Sequence, residues 1–218
     1  MRVVIIGAGG HGQVVADALL SAARAGSSIR PVGYVDDDAS LVGRMLLGLQ
    51  VLDCVDGLSR IPHDGVIVAI GHNATRRKVF DTLMARKERF VVARHPSAIV
   101  AESAAVGPGT MICAGAIVNP GAIVGSNVIL NTGCSIDHHN RIGDHVHIAP
   151  GVCTGGDVTV GAGVLVGIGA VVMPGRTIGA GSTVGAAALV QMDVPERTIV
   201  VGVPARPVRS TELMSEHA

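Results

Sequence analysis

The sequence predicts two architectures in series: a small parallel α/β lobe, Rossmann-like in pattern, over residues 1–95, and a parallel β-helix over residues 96–209, with a polar tail at 210–218. Three observations predict this. An aliphatic residue recurs every six positions through the second half. A glycine turn joins an apolar strand to a helical stripe at residues 7–12. Strand and helix patterns alternate through the first ninety residues, as in a parallel sheet with crossover helices.

The lobe reads element by element. Val3-Val4-Ile5-Ile6 is a short buried strand, Gly7-Ala8-Gly9-Gly10-His11-Gly12 is the turn, and Val14, Val15, Ala18 and Leu19 form the inner stripe of a helix. Pro31–Val35 makes a second strand, ending in Asp36-Asp37-Asp38. Val66–Ile70 makes a third, followed by Gly71-His72-Asn73, where Asn73 can cap a helix through about Arg86. Phe90-Val91-Val92 is the last candidate strand before His95-Pro96-Ser97 leads into the repeat.

Gly7-x-Gly9-x-x-Gly12 matches the dinucleotide fingerprint and sits between a strand and a helix, where backbone N–H groups can receive a phosphate. The alternative is a tight strand–helix turn without a ligand. Asp36 stands where a ribose-binding acid belongs, but the lobe is short of the second half of a full dinucleotide-binding domain. A nucleotide other than a redox dinucleotide is the expectation.

The repeat runs Val100, Val106, Ile112, Val118, Val124, Leu130, Ile136, Ile142, Ile148, Thr154, Val160, Val166, Val172, Ile178, Val184, Val190, and only Thr154 breaks the aliphatic series. A period of six fits neither a helix nor a lone strand, but it fits a solenoid with three six-residue sides and eighteen residues per coil. Small residues such as Ala98, Ala104, Ala116 and Cys134 precede the aliphatic position by two and mark where the chain bends. Gly107, Gly125, Gly143, Gly161 and Gly179 follow it by one and are expected to hold backbone conformations that a Cβ resists. No coil buries its faces alone, so stability comes from stacking.

Composition excludes several classes. Of 218 residues 48% are apolar and only 16% charged, which rules out a disordered chain. Lys plus Arg equals Asp plus Glu, 17 each, so no overall field recruits nucleic acid or an anionic membrane. Cys54, Cys113, Cys134 and Cys153 form no C-x-x-C pair and fit a reduced compartment. Ser103–Ile136 lacks charge, yet its evenly spaced glycine, proline and asparagine exclude a membrane helix. The amino-terminal apolar run stops at Gly7, short of an export signal. A soluble cytoplasmic protein is expected.

Four of nine histidines, His138, His139, His145 and His147, crowd one coil. With Ile136 and Ile142 pointing inward, the polar residues between them lie at a corner or on the outer surface. Three readings compete: a solvated corner, a metal site, and a general base for acyl transfer partnered by Asp137 or Asp144. Against metal, the neighbouring His138 and His139 are expected to diverge, with no further histidine on another coil. Acyl transfer is preferred, and no metal is expected. Cys134, in the small inward phase, reads as packing and not as a nucleophile.

Together Gly7–Gly12, Val35-Asp36-Asp37, Ala69–Asn73, His95-Pro96-Ser97, Asp137-His138 and Val201–Arg206 make the chain similar, over nearly its whole length, to hexapeptide-repeat acyltransferases. These include sialic acid O-acetyltransferases and the N-acetyltransferases of nucleotide-linked 4-amino sugars. The resemblance implies a left-handed parallel β-helix and a homotrimer, with acetyl-CoA as co-substrate lying between neighbouring subunits. It implies that Gly9, Gly10 and His11 lie beside the phosphates or sugar of a nucleotide-linked sugar. Asp36 and Asp37 would accept hydrogen bonds from the nucleoside, and Gly71, His72 and Asn73 would line the same cleft. His138 would be the base, His147 would contact the thioester region, Ile168 and Ala186 would meet the pantetheine arm, and a backbone N–H near Gly143 would hold the oxyanion. The sequence departs from the family at His139, where an acid usually follows the base; Asp137 or Asp144 could take over.

The implied reaction is direct N-acetylation of an amino sugar without an acyl-enzyme. Sialic acid O-acetylation is the alternative, followed by an NAD-dependent oxidoreductase and a non-catalytic sugar-nucleotide-binding solenoid.

Overall fold

The computed structural model describes residues 1–210, so the predicted tail beyond Ser210 lies outside the described residues. In the lobe, β1 (Arg2–Ile6), β2 (Arg30–Val35), β3 (Met45–Leu46), β4 (Leu49–Asp53) and β5 (Gly65–Val68) form a sheet in the order β3-β4-β2-β1-β5. The central strand β1 runs parallel to both neighbours, Ile5 pairing with Tyr34 on one side and Ile67 on the other. All three side chains are fully buried, and α1 (Gly10–Arg24) closes one face with Val15 and Leu19. The helix α2 (Asn73–Ala85) buries Phe80 and Leu83.

The lobe departs from the sequence expectation in three places. The β3–β4 hairpin carries no Asn-Gly or Asp-Gly signal; Leu47 (φ 51°) and Gly48 (φ 78°) make its turn, and the leucine hides it. The cap of α2 is His72, whose side chain accepts from the Thr75 N–H, and not Asn73. Phe90–Val92 makes only a bridge to Val66, while Ala93–Arg94 pairs with Met111–Ile112 and so joins the column.

From there the chain winds into a three-faced column of two-residue strands. The first face stacks residues 99–100, 117–118, 135–136, 153–154, 171–172 and 189–190. The second stacks 105–106, 123–124, 141–142, 159–160 and 177–178, and the third begins at Ala93 and ends in the antiparallel pair Thr198–Val201 and Arg206–Ser210. Partners are parallel and one coil apart, as in Val118 with Ile136 and Leu130 with Ile148. The predicted inward series from Ile112 to Val190 is buried without exception.

Every sixth residue from Gly109 to Ala187 is left-handed, with φ between 54° and 73°. Nine of these corner positions are glycine; the others are Asn127, His139, His145, Asp157 and Ala187, three of the four residue types among them being those that tolerate this region best. The glycine series from Gly107 to Gly179 is a different device. None of its members has positive φ; a Cβ at Gly143 would lie 2.8 Å from Ala162 N, so these glycines permit close stacking of backbones. The lobe covers the third face, burying Met111 and Ile129.

Candidate active site

The four clustered histidines separate because a coil carries them past three different places. His138 and His139 occupy the corner between the first and second faces, His145 the corner between the second and third, and His147 the third face itself.

At the first of these corners both imidazoles are exposed. Their Nδ1 atoms lie 3.1 Å apart, so the expected divergence is not found. The His138 ring lies on Gly156 of the next coil, where a Cβ would come within 2.2 Å of its Cε1. His139 lies on Gly121 of the preceding coil in the same manner. Asp157, one coil above His139, places a carboxylate oxygen within 4.8 Å of a ring nitrogen of each histidine. The turn is anchored from inside by Thr154, the one polar member of the inward series. Its Oγ1 accepts from the Asp137 N–H (3.2 Å) and Asn140 Nδ2 (2.5 Å) and donates to Ser135 O (3.2 Å).

Neither acid that the sequence offered as partner makes a hydrogen bond to the His138 ring among the described residues. Asp137 Oδ1 accepts from its own corner, the His138 N–H (2.7 Å) and Asn119 Nδ2 (3.0 Å). Asp144 accepts from the Ser126 N–H at the neighbouring corner. Gly143 is likewise not an oxyanion donor, because its N–H is committed to Val160 O at 2.8 Å in the coil ladder.

The second group is buried where the lobe meets the column. Arg76 is 1% exposed and has no carboxylate partner among the described residues; it donates to the carbonyls of Asn127, Ile70, Gly71, His145 and Val146 and to Asn73 Oδ1. Burial lowers its pKa to about 10. Beside it His11 and His147 face each other with ring centroids 6.5 Å apart. Burial first, then the neighbouring charges, pushes His11 down to about 4; burial and Arg76 do the same to His147. Both rings are therefore neutral at pH 7. His147 Nε2 accepts from Asn131 Nδ2 (3.1 Å), while His11 Nε2 is buried without a partner among the described residues.

The predicted substrate residues divide by what they already hold. Gly9 and Gly10 have open space where a Cβ would stand, and α1 starts there with no side-chain cap, so its first N–H groups face outward. Gly12 is structural: a Cβ would lie 2.1 Å from Gly7 O. Asp36 braces the turn, accepting from the N–H groups of Ala8 (2.7 Å) and Asp38 (2.9 Å), and Asp37 accepts from the Val55 N–H. Gly71 gives its carbonyl to Arg76, His72 caps α2, and Asn73 is a strut to the column, donating to Gly163 O and Val164 O. Ile168 and Ala186 stack one coil apart, exposed, at the corner between the third and first faces. A hollow of about 360 Å³ between α1 and the column, lined by Gln13, Val14, Asp17, His95, Met111 and Thr132 among others, shares no residue with either histidine group.

Two residues escaped the sequence reading. Asp157 carried a usable signal, since it stands eighteen residues after His139. Arg76, within Arg76-Arg77-Lys78, looked like part of a solvated cationic face.

Residues 2–83 match the profile of the PglD N-terminal domain. The chain is 35% identical to PerB from Caulobacter crescentus, whose structure was determined with CoA and GDP-perosamine. The two superpose with a TM-score of 0.87 over 96% of this chain and 98% of that one. The chain belongs to this sugar N-acetyltransferase family. The acetyltransferase domain of PglB from Neisseria gonorrhoeae FA1090 is 33% identical, with a TM-score of 0.87 over 95% of this chain and 99% of that one. UDP-N-acetylbacillosamine N-acetyltransferase of Bacillus subtilis (strain 168) is 38% identical over 112 residues, half the length of each protein. The molecules named in these family structures are CoA, acetyl-CoA and GDP-perosamine. No helix among the described residues is long and apolar enough to cross a membrane.

Proposed function

We propose that this chain transfers the acetyl group of acetyl-CoA to the amine of a nucleotide-linked amino sugar, with His138 as general base. The observation that carries the reading is the His138 corner. The imidazole is exposed, seated on Gly156 and held at Nδ1, and its Nε2 has no hydrogen-bond partner among the described residues. That is the state a base needs to take a proton from an attacking nitrogen. The sugar nitrogen forms its bond to the thioester carbon, the C–S bond breaks, and the proton lost from nitrogen passes through His138 to the departing thiolate. No acyl-enzyme is required, because holding both substrates together supplies the rate. The N-acetyl reading is favoured over O-acetylation because the closely similar PerB was captured with GDP-perosamine and the curated relative acts on an amino sugar nucleotide.

The nucleotide is assigned to the open α1 terminus at Gly9 and Gly10, and the pantetheine arm to the corner carrying Ile168 and Ala186. The N–H groups of those two residues make no hydrogen bond among the described residues. The homotrimer implied by the family resemblance is part of this reading, and the placement of lobe and corner supports a site shared between copies. The lobe packs on the third face, whereas His138 stands at the corner opposite that face, so a substrate held in one lobe meets the base of a second copy. The first face supports this with an outward stripe of Ile99 (64% exposed), Ile117, Val171 and Leu189. Packing such a stripe against a copy removes it from water.

The test is release of free thiol from acetyl-CoA with a panel of UDP-, GDP- and CMP-linked amino sugars. One or more should give turnover, and His138→Asn should lower kcat about a hundredfold or more while CoA binding is retained. Wild-type turnover in that variant would remove His138 as the base.

A further inference from the structure

We infer that Asp157 is the positioning residue that holds the His138–His139 pair in its working state, taking from the next coil the part that neither Asp137 nor Asp144 can play. The inference rests on the reading of His138 as the base. Two Nδ1 atoms at 3.1 Å form a hydrogen bond only if one of them carries the proton. For His138 to accept a proton at Nε2, its Nδ1 must be the protonated one and His139 Nδ1 the acceptor. Once the amine proton has arrived, the pair carries one positive charge, and a protonated His138 beside an imidazole alone gains nothing from its neighbour's charge.

Asp157 is the anion placed to answer it. A carboxylate oxygen and one nitrogen from each ring lie within 4.8 Å of one another. The regular corner geometry of the column fixes its backbone: the Asp157 N–H donates to His138 O at 3.0 Å, and Asp157, like His139 below it, is left-handed at φ 58°. Its carboxylate makes no hydrogen bond among the described residues, unlike those of Asp137 and Asp144. The coils that flank this pair carry glycine at the same corner position, Gly121 below His139 and Gly175 above Asp157.

The experiment compares wild-type protein with Asp157→Asn, Asp157→Glu and His138→Asn by steady-state kinetics on the nucleotide-linked sugar found active. Asparagine keeps the size, the backbone hydrogen bond and the tolerance of left-handed geometry, and removes only the charge. Asp157→Asn should lower kcat about tenfold with KM for acetyl-CoA and for the sugar nucleotide unchanged, and Asp157→Glu should recover most of the loss. An Asp157→Asn enzyme with wild-type kcat overturns the inference. So does a loss that glutamate does not relieve, or one that appears in KM or thermal stability instead of kcat. A fully active His138→Asn enzyme is a separate result, which removes the base itself.

Discussion

Two pairs of histidines in one molecule show how far environment, and not residue type, sets the chemistry. His138 and His139 stand in solvent with a carboxylate nearby; His11 and His147 stand in the joint between lobe and column beside a buried guanidinium. The buried pair cannot take up a proton near neutrality, with pKa values of about 4, so it offers fixed hydrogen-bonding groups. The exposed pair keeps His138 Nε2 without a hydrogen-bond partner among the described residues, open to a substrate in the proposed reaction. One coil of eighteen residues carries both kinds, because the distance from His138 to His147 is half a turn of the column.

The largest test of this contrast is acid. His11 and His147 titrate near 4 in the fold and at 6.5 unfolded, so the unfolded chain binds their protons first as pH falls. Their contribution is fully present above pH 6.5 and is lost on the way to pH 4. Each is worth about 1.4 kcal/mol per pH unit in that window, roughly 7 kcal/mol together across it. Carboxylates with lowered pKa, such as Asp53 and Asp64, act only below that range. Urea midpoints at pH 7, 6 and 5 should fall steadily, and His147→Gln should remove about half of the slope; an unchanged slope would mean that the junction histidines are not held neutral. Next in size is Arg76→Met. It leaves the carbonyls of Asn127 and His145 without their donor, while Val146 O keeps the Ile129 N–H, a loss of about 3 kcal/mol and a melting temperature lower by roughly 6–12 °C. An unshifted melting curve would deny that this cation fastens lobe to column.

What could be read from the amino acids divides along the same line. The column was legible because its inward positions stack as an aliphatic series, which Val100 to Val190 display with Thr154 as the single exception. The strand–turn–helix at residues 2–24 was legible because only glycine fits at Gly12, against Gly7 O. His138 stood out through its neighbours in sequence. Asp157 did not, because its relation to His139 runs up the column and not along the chain. The left-handed corners were blurred for a related reason: Asn127, His139, His145, Asp157 and Ala187 replace glycine there, while a second glycine series serving coil contact drew attention to the wrong phase. Arg76 was illegible because a helix with adjacent cations looks alike whether one of them points into solvent or into a cluster of carbonyls.

The smallest effect is the most local and sharpens the contrast without touching charge. Gly156 lies against the His138 ring from the next coil, and a methyl group there would stand 2.2 Å from Cε1 and 2.4 Å from Nε2, distances at which the ring must move. The backbone does not forbid the change, because Gly156 is not among the residues with positive φ. Gly156→Ala should therefore fold with a melting temperature near that of the wild type. Its kcat should fall about tenfold, since a base displaced by an ångström loses alignment with the attacking nitrogen. KM for both substrates should hold, because neither the α1 terminus nor the corner at Ile168 and Ala186 is disturbed. The corresponding burden is absent at Gly151, where a Cβ meets nothing within 4 Å, but φ is 67° there and alanine would strain the corner instead. The pair separates the two effects: Gly151→Ala should lower stability and spare kcat, and Gly156→Ala should do the reverse. If Gly156→Ala leaves turnover intact, the seat against the imidazole does not position it, and the rigidity of the exposed pair must come from the Thr154 anchor alone.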